Sequence, residues 1–217
     1  MVNAVSRWFS VYGLATGLIR PGDPIADRLV VAAHRSGGIL EGDFIVVAES
    51  AVATAEGRVV PLDGIGPTPA AHALARRYAM DPRVVEIILQ ESDAVVGGMP
   101  GFLLCQVHGT LLPNAGVDAS NAPPGCVVLL PADPQASAVG IRDVIRASAG
   151  VETAVIVADS RPHPMRSGCA GIALGCAGLA PVRDGRAVAD SIASAAELIM
   201  GEADEGVPAA IVRWCKR

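Results

Sequence analysis

Short runs rich in valine and isoleucine recur along this chain, at Phe44–Ala48, Gly125–Leu130, Val151–Ala158 and Ala209–Arg213. Runs of this length bounded by Gly, Pro, Asp and Asn read as buried strands, and none approaches the roughly 20 apolar residues of a membrane span. Two more strands are expected at Phe102–His108 and Thr110–Leu112, hinged at Gly109. Helical stretches come between them in irregular order. An amphipathic segment runs from Ile25 to His34 behind the turn Pro21-Gly-Asp-Pro24, and Thr68-Pro69, Asp81-Pro82 and Asp133-Pro134 each pair a capping side chain with a proline at the first helical position. These three pairs predict helices through Ala79, Gln90 and Ala147, and a last helix is expected over Ala187–Met200. The mixture predicts an α+β fold of mixed sheets with flanking helices.

A chain of 217 residues, 51% apolar and only 18% charged, can bury a substantial core and is not disordered. We expect a single domain over residues 1–217, built as two interlocked lobes if it divides, with the division after Gly178. The start of the chain lacks the continuous apolar core of a secretory signal, so a cytoplasmic protein is expected. A net charge of −5 without a basic run argues against a nucleic-acid partner. The five cysteines form no two-residue-spaced pair and are expected to be buried and reduced rather than zinc-bound. Lys216 is the only lysine. Lysine chemistry and a Gly-Lys-Ser/Thr phosphate loop are thereby set aside, and an anchored phosphate must rely on arginine, backbone N–H groups or a metal.

Three segments concentrate polar chemistry. Asn114-Ala-Gly-Val-Asp-Ala-Ser-Asn121 packs carboxylate, amide and hydroxyl oxygens into eight residues. It can offer ligands to a hard cation, or it can be a turn in which Asp118 and Asn121 bond their own loop. Asp159-Ser160 emerges where an apolar strand ends, a place suited to magnesium or manganese and equally to a cap or turn. Arg161, His163 and Arg166 add an anion-binding stretch or a set of solvated charges. The glycines at 168, 171, 175 and 178 lack the spacing of a dinucleotide fingerprint and are better read as sites of close backbone packing.

Arg20-Pro-Gly-Asp23, Glu41-Gly-Asp43, Ala55-Glu-Gly-Arg58, Asp81-Pro-Arg83, the Asn114–Asn121 loop and Gly201–Pro208 follow one another in an order that resembles the coenzyme factor 420-0:γ-glutamyl ligase family. The resemblance covers nearly the whole chain. It implies a homodimeric enzyme that uses GTP and Mg²⁺ or Mn²⁺ to join L-glutamate to the terminal carboxylate of a deazaflavin coenzyme precursor through an acyl phosphate. It implies Asp118, Asp159 and Ser160 as metal ligands, with Ser160 standing for a threonine. Asn121, Ser50, Arg161 and Arg166 are the expected nucleotide contacts.

The chain departs from the family's pattern at three places. Thr54 stands where a nucleotide-binding lysine is usual, and Asp159-Ser-Arg-Pro-His163 replaces an Asp-Thr-x-Gly-Arg loop. After Asp184 the chain passes directly through Gly185-Arg186 to Val188-Ala-Asp190, without the family's segment containing an Asp-x-Tyr-Gly pattern. These departures keep a second expectation open, a deazaflavin- or nucleotide-binding regulatory homologue that has lost ligase turnover.

Overall fold

The computed structural model describes residues 8–162, 167–201 and 205–215. In chain order the elements are β1 (Trp8–Leu14), α1 (Ile25–Ala33), β2 (Phe44–Ala48), α2 (Glu49–Ala55), β3 (Val59–Pro61), α3 (Pro69–Tyr78), α4 (Pro82–Gln90) and β4 (Ala94–Met99). They continue with β5 (Phe102–Val107), β6 (Thr110–Pro113), β7 (Cys126–Val128), α5 (Pro134–Ala149), β8 (Ala154–Pro162) and β9 (Cys169–Ala177). The last are β10 (Val182–Arg183), β11 (Arg186–Ala187), α6 (Val188–Met200) and β12 (Ala209–Cys215). The architecture is α+β with several sheets and flanking helices, as the sequence predicts.

The chain forms two compact units, one made of residues 1–57 and 131–217, the other of 58–130. The expected division after Gly178 is therefore replaced by an insertion into the first unit. The small residues that precede Gly178 belong within the first unit. They build strand β9, where Gly171 and Gly175 admit helix backbones that a side chain would exclude: a Cβ on Gly171 would lie 2.6 Å from the Ala193 carbonyl carbon in α6, and one on Gly175 2.3 Å from that of Pro134 in α5.

The first unit is built on a five-stranded sheet of order β1-β12-β2-β8-β9, in which only β2 and β8 are parallel. Its strands alternate between two apolar faces. Ile45, Val47, Val155, Val157 and Ile211 meet Leu29 of α1, Val52 of α2 and Ile141 and Ile145 of α5, while Val46, Ile156, Ala210 and Val212 meet Ala189, Ile192 and Ala196 of α6. Full burial of each such valine, leucine or isoleucine is worth roughly 1.5–3 kcal/mol.

A buried ion pair ties three of these strands. Asp43 is 1% exposed. Its carboxylate accepts from Arg213 Nε at 2.8 Å, from the terminal Arg213 nitrogen at 2.7 Å and from the Leu40 amide at 2.8 Å. Arg213 also donates to the Gly38 carbonyl at 2.8 Å, and its guanidinium lies 5.3 Å from the centre of the Tyr12 ring in β1. The Asp43 carboxylate beside it holds the Arg213 pKa above its ordinary value.

In the second unit α3 and α4 pack with Leu103, Cys105, Val117, Val127 and Leu129 around Tyr78, Val85 and Ile88. All three expected Pro-led helix starts carry the predicted caps: Thr68, Asp81 and Asp133 accept from the Ala71, Arg83 and Ala136 amides. Glu86 extends the first of these caps by accepting from the Thr68 amide at 2.8 Å and its hydroxyl at 2.7 Å. Those bonds hold its carboxyl below the ordinary glutamate pKa, the amide bond most of all.

Among the described residues no helix is long and apolar enough to cross a membrane. Cys105 and Cys176 are buried as expected, whereas Cys169 at the start of β9 is exposed.

Replacing Asp43 by Ala strands the half-buried Arg213 charge, and urea denaturation should show a loss of about 3 kcal/mol. Glu86 makes a pH-dependent contribution whose sign follows from its lowered pKa. It is complete above the unfolded value of about 4.3 and disappears as pH falls through the folded value. Urea midpoints measured from pH 7 to pH 3 should therefore fall less steeply in Glu86→Gln than in the parent, with the difference confined to the acid end.

Candidate functional site

In the first unit the parallel pair β2 and β8 ends at the register pair Ala48↔Ala158. The next residues are Glu49 and Ser50, at the start of α2, and Asp159 and Ser160, still within β8. Carboxylates and hydroxyls are thus presented beyond the carboxyl ends of parallel strands, where open sheets bind ligands. No loop separates β2 from α2, because Ala48 has extended backbone and serves as the N-cap. Ser50 and Thr54 are both half-buried on this short helix.

Successive residues of β8 face opposite ways. Asp159 and Arg161 share the face of Val155 and Val157, and Arg161 Nε donates to Asp159 Oδ2 at 2.5 Å. Arg161 is 7% exposed, so the expected anion contact is a buried cation already engaged with a carboxylate. Ser160 takes the other face with Ile156 and Ala158, paired in register with Gly171 against α6. Its hydroxyl is buried and has no hydrogen-bond partner. Neighbours in sequence, Asp159 and Ser160 therefore have separate surroundings. His163 and Arg166 lie outside the described residues.

Asp118 stands in the second unit. Its backbone bridges Val128 in both directions, at 2.8 and 2.7 Å. The half-buried carboxylate accepts at Oδ1 from the Ser120 amide (2.7 Å) and hydroxyl (2.6 Å), and at Oδ2 from the Asn121 side-chain amide (2.8 Å). The self-bonded turn is thus realised. It leaves the second lone pair of Oδ2 open, since an ionised carboxylate has about four acceptor positions. Asn121 is exposed.

The front of the same loop has a structural task. Asn114, Ala115 and Gly116 adopt left-handed backbone with φ of 48°, 54° and 76°, and the Asn114 side-chain oxygen accepts from the Leu103 amide at 2.8 Å. The turn is held against β5 by this bond. At Gly116 a Cβ would lie 2.4 Å from Leu130, so only glycine fits there.

Among the described residues no group of three His, Cys, Asp or Glu side chains is assembled for a metal. The candidate side chains, Asp159 and Ser160 in the first unit and Asp118 in the second, carry oxygen donors of the type that hard cations rather than soft metals take. A separate groove of about 360 Å³ in the first unit is lined by residues such as Ile25, Val52, Glu56, Ser137 and Ile141, and includes none of the candidate side chains. Glu49, directly after the apolar run Phe44–Ala48, is a further carboxylate at the end of β2.

Comparison with known proteins gives a consistent picture. The pattern of the F420-0:Gamma-glutamyl ligase family matches residues 13–213. A protein of Methanopyrus kandleri named coenzyme F420:L-glutamate ligase is 42% identical, over 91% of this chain and 83% of its own length. Proteins of the same name from Methanothermobacter thermautotrophicus and Haloarcula marismortui are 42% and 39% identical, over 90% and 94% of this chain and 84% and 86% of theirs.

Asn114→Ala removes the acceptor for the Leu103 amide and places a second alanine in left-handed backbone. Equilibrium unfolding should register a loss of about 2–3 kcal/mol.

Proposed function

The chain belongs to the F420-0:γ-glutamyl ligase family, and from that premise we propose that it joins L-glutamate through an amide bond to the terminal carboxylate of a deazaflavin coenzyme precursor. The carrying observation is the match across residues 13–213, with the two carboxylates Asp118 and Asp159 present in it.

In the proposed reaction GTP transfers its γ-phosphoryl group to the precursor carboxylate and releases GDP. The glutamate amine then attacks the acyl phosphate, and inorganic phosphate leaves. Asp118 and Asp159 are each proposed as a carboxylate ligand of Mg²⁺ or Mn²⁺, together with the Ser160 hydroxyl. A bound divalent ion would supply neutralisation of the charge that accumulates on the phosphates.

Ser160 offers a buried, unpartnered hydroxyl, but on the face of β8 opposite Asp159. Asn121 is exposed and held by Asp118, which orients its amide for a nucleotide contact. Ser50 lies at the parallel-strand ends on α2. Arg161 can meet a phosphate only by leaving Asp159, and Arg166 completes the proposed contacts. A homodimer is part of the same proposal.

A second reading, binding without turnover, draws on Thr54 and on the short hairpin that follows Pro181. That hairpin pairs only Val182–Arg183 with Arg186–Ala187 across an Asp184-Gly185 turn, both turn residues having positive φ.

Purified protein incubated with GTP, Mn²⁺, L-glutamate and the precursor should yield a product one glutamyl unit heavier, with stoichiometric phosphate release. Asp118→Asn and Asp159→Asn should each lower kcat at least about a hundredfold. Deazaflavin binding by calorimetry, with neither product nor phosphate from any nucleoside triphosphate, would establish the second reading instead.

A further inference from the structure

We propose that the outer edge of β1 is an interface between two copies of this chain, which pair their β1 strands antiparallel about a twofold axis and join their five-stranded sheets into one. This gives a surface to the homodimer of the proposed function. Its test reads association rather than turnover, so either reading can fail alone.

β1 lies at one end of the sheet, with β12 as its neighbour among the described residues. An edge strand presents a row of unpaired N–H and C=O groups, and proteins that stay single blunt such edges with a charge, a proline, a bulge or a very short strand. β1 has none of these. Its seven residues, Trp8-Phe-Ser-Val-Tyr-Gly-Leu14, include no charge and no proline, and their register with β12 runs unbroken. Among the described residues no turn or loop backbone bonds to its outer side. The opposite edge of the sheet differs, because β9 is bulged against β8 between Val157 and Ala158.

Charge and symmetry select a second copy as the occupant. In an isologous contact each residue meets itself or its symmetry mate, so a charge on the strand would face its own kind. β1 carries no such conflict, and the guanidinium of Arg213, which opposes Ser10 in β12, is already neutralised by Asp43. A twofold axis perpendicular to the sheet keeps the α6 sides of both copies on one face, and centring it on Val11 uses the whole strand. Phe9 of one copy then opposes Gly13 of the other, and Trp8 opposes Leu14. Gly13 has no side chain to obstruct the ring, and the space above it is walled by apolar groups, since a Cβ there would lie 2.7 Å from Val207 and 3.1 Å from Ile199. The Phe9 ring of the second copy thereby gains an apolar seat.

The area is of the right scale. Trp8, Phe9 and Trp214 are 55%, 45% and 50% exposed, and Phe9 and Trp214 already pack edge to face. Aromatic side chains bury about 150–250 Å² each when covered, so these three leave roughly 200–400 Å² per chain. With the backbone edge and the half-exposed Ile199 added, the surface approaches the smaller specific interfaces, about 600 Å² per partner.

Sedimentation velocity of the full chain from about 1 to about 100 µM should show a dimer, or a monomer–dimer equilibrium. Phe9→Lys and Trp8→Lys each set a charge on the edge and should raise the dissociation constant at least about tenfold. Val139→Lys, at an exposed apolar position of α5 on the β8–β9 side of the sheet, should leave it unchanged. Hydrogen exchange of the parent protein is independent of variant folding: amides of Trp8–Leu14 should be better protected in the dimer than in the monomer, and those of β8 equally protected in both. A monomer throughout the concentration range overturns the proposal. So does a dimer that folded Phe9→Lys and Trp8→Lys both leave intact, or one whose β1 amides exchange alike in monomer and dimer; such a dimer uses another surface and leaves the ligase reading untouched.

Discussion

The carboxylate of Asp43 is where the sheet of the first unit is locked. It is nearly inaccessible, receives two bonds from Arg213 in β12 and one from the Leu40 amide, and its backbone carbonyl accepts from the Ala154 amide at the start of β8. Around it, Gly42 and Glu41 bond the carbonyl and amide of Glu152. One short acidic turn thereby sets β2 against β8 on one side and β12 on the other. A one-residue slip in either pairing would exchange the faces that meet α1 and α5 with those that meet α6.

The family-like motifs have structural tasks of this kind. Glu41-Gly-Asp43 is a clamp between strands. In Arg20-Pro-Gly-Asp23, the Asp23 carboxylate accepts from the Arg20 amide and pairs with Arg28 of α1. In Ala55-Glu-Gly-Arg58, Glu56 accepts from Ser137, and Arg58 bonds both Glu91 and the Leu130 carbonyl. Asp81 caps α4 and holds Arg83. Most of the residues that make the chain recognisable secure the fold, and Asp118 and Asp159 are left as the carboxylates proposed for chemistry.

The helices opened by Thr68-Pro69, Asp81-Pro82 and Asp133-Pro134 were legible because capping and proline geometry are local. The long apolar strands were legible for a similar reason, their burial being written in consecutive residues. What escaped depends on partners distant in sequence. β9 is built of small residues whose strand character comes from pairing with β8, and α2 begins without any cap signal immediately after β2. The inserted unit was missed because no glycine- or proline-rich linker marks its borders at Gly57/Arg58 and Leu130/Pro131. At the candidate site the self-bonded turn of Asp118 was foreseen as one alternative. The Asp159–Arg161 pair was not, since it needs the knowledge that β8 continues through Pro162 and sets the two on one face.

The two ends of the inserted unit meet. The Leu129 amide bonds the Arg58 carbonyl, and Arg58 Nε reaches the Leu130 carbonyl across 72 positions of sequence. For the folding chain, this turns a large insertion into a small one. Loop closure grows costlier with the length of flexible chain between two contacts, and β2 must find its parallel partner β8 beyond the whole insertion. Once residues 58–130 have closed on themselves, that search spans only α2, α5 and the short links that flank them. The order of assembly that this favours is the inner unit first and the surrounding sheet second, so a slow inner unit would delay both.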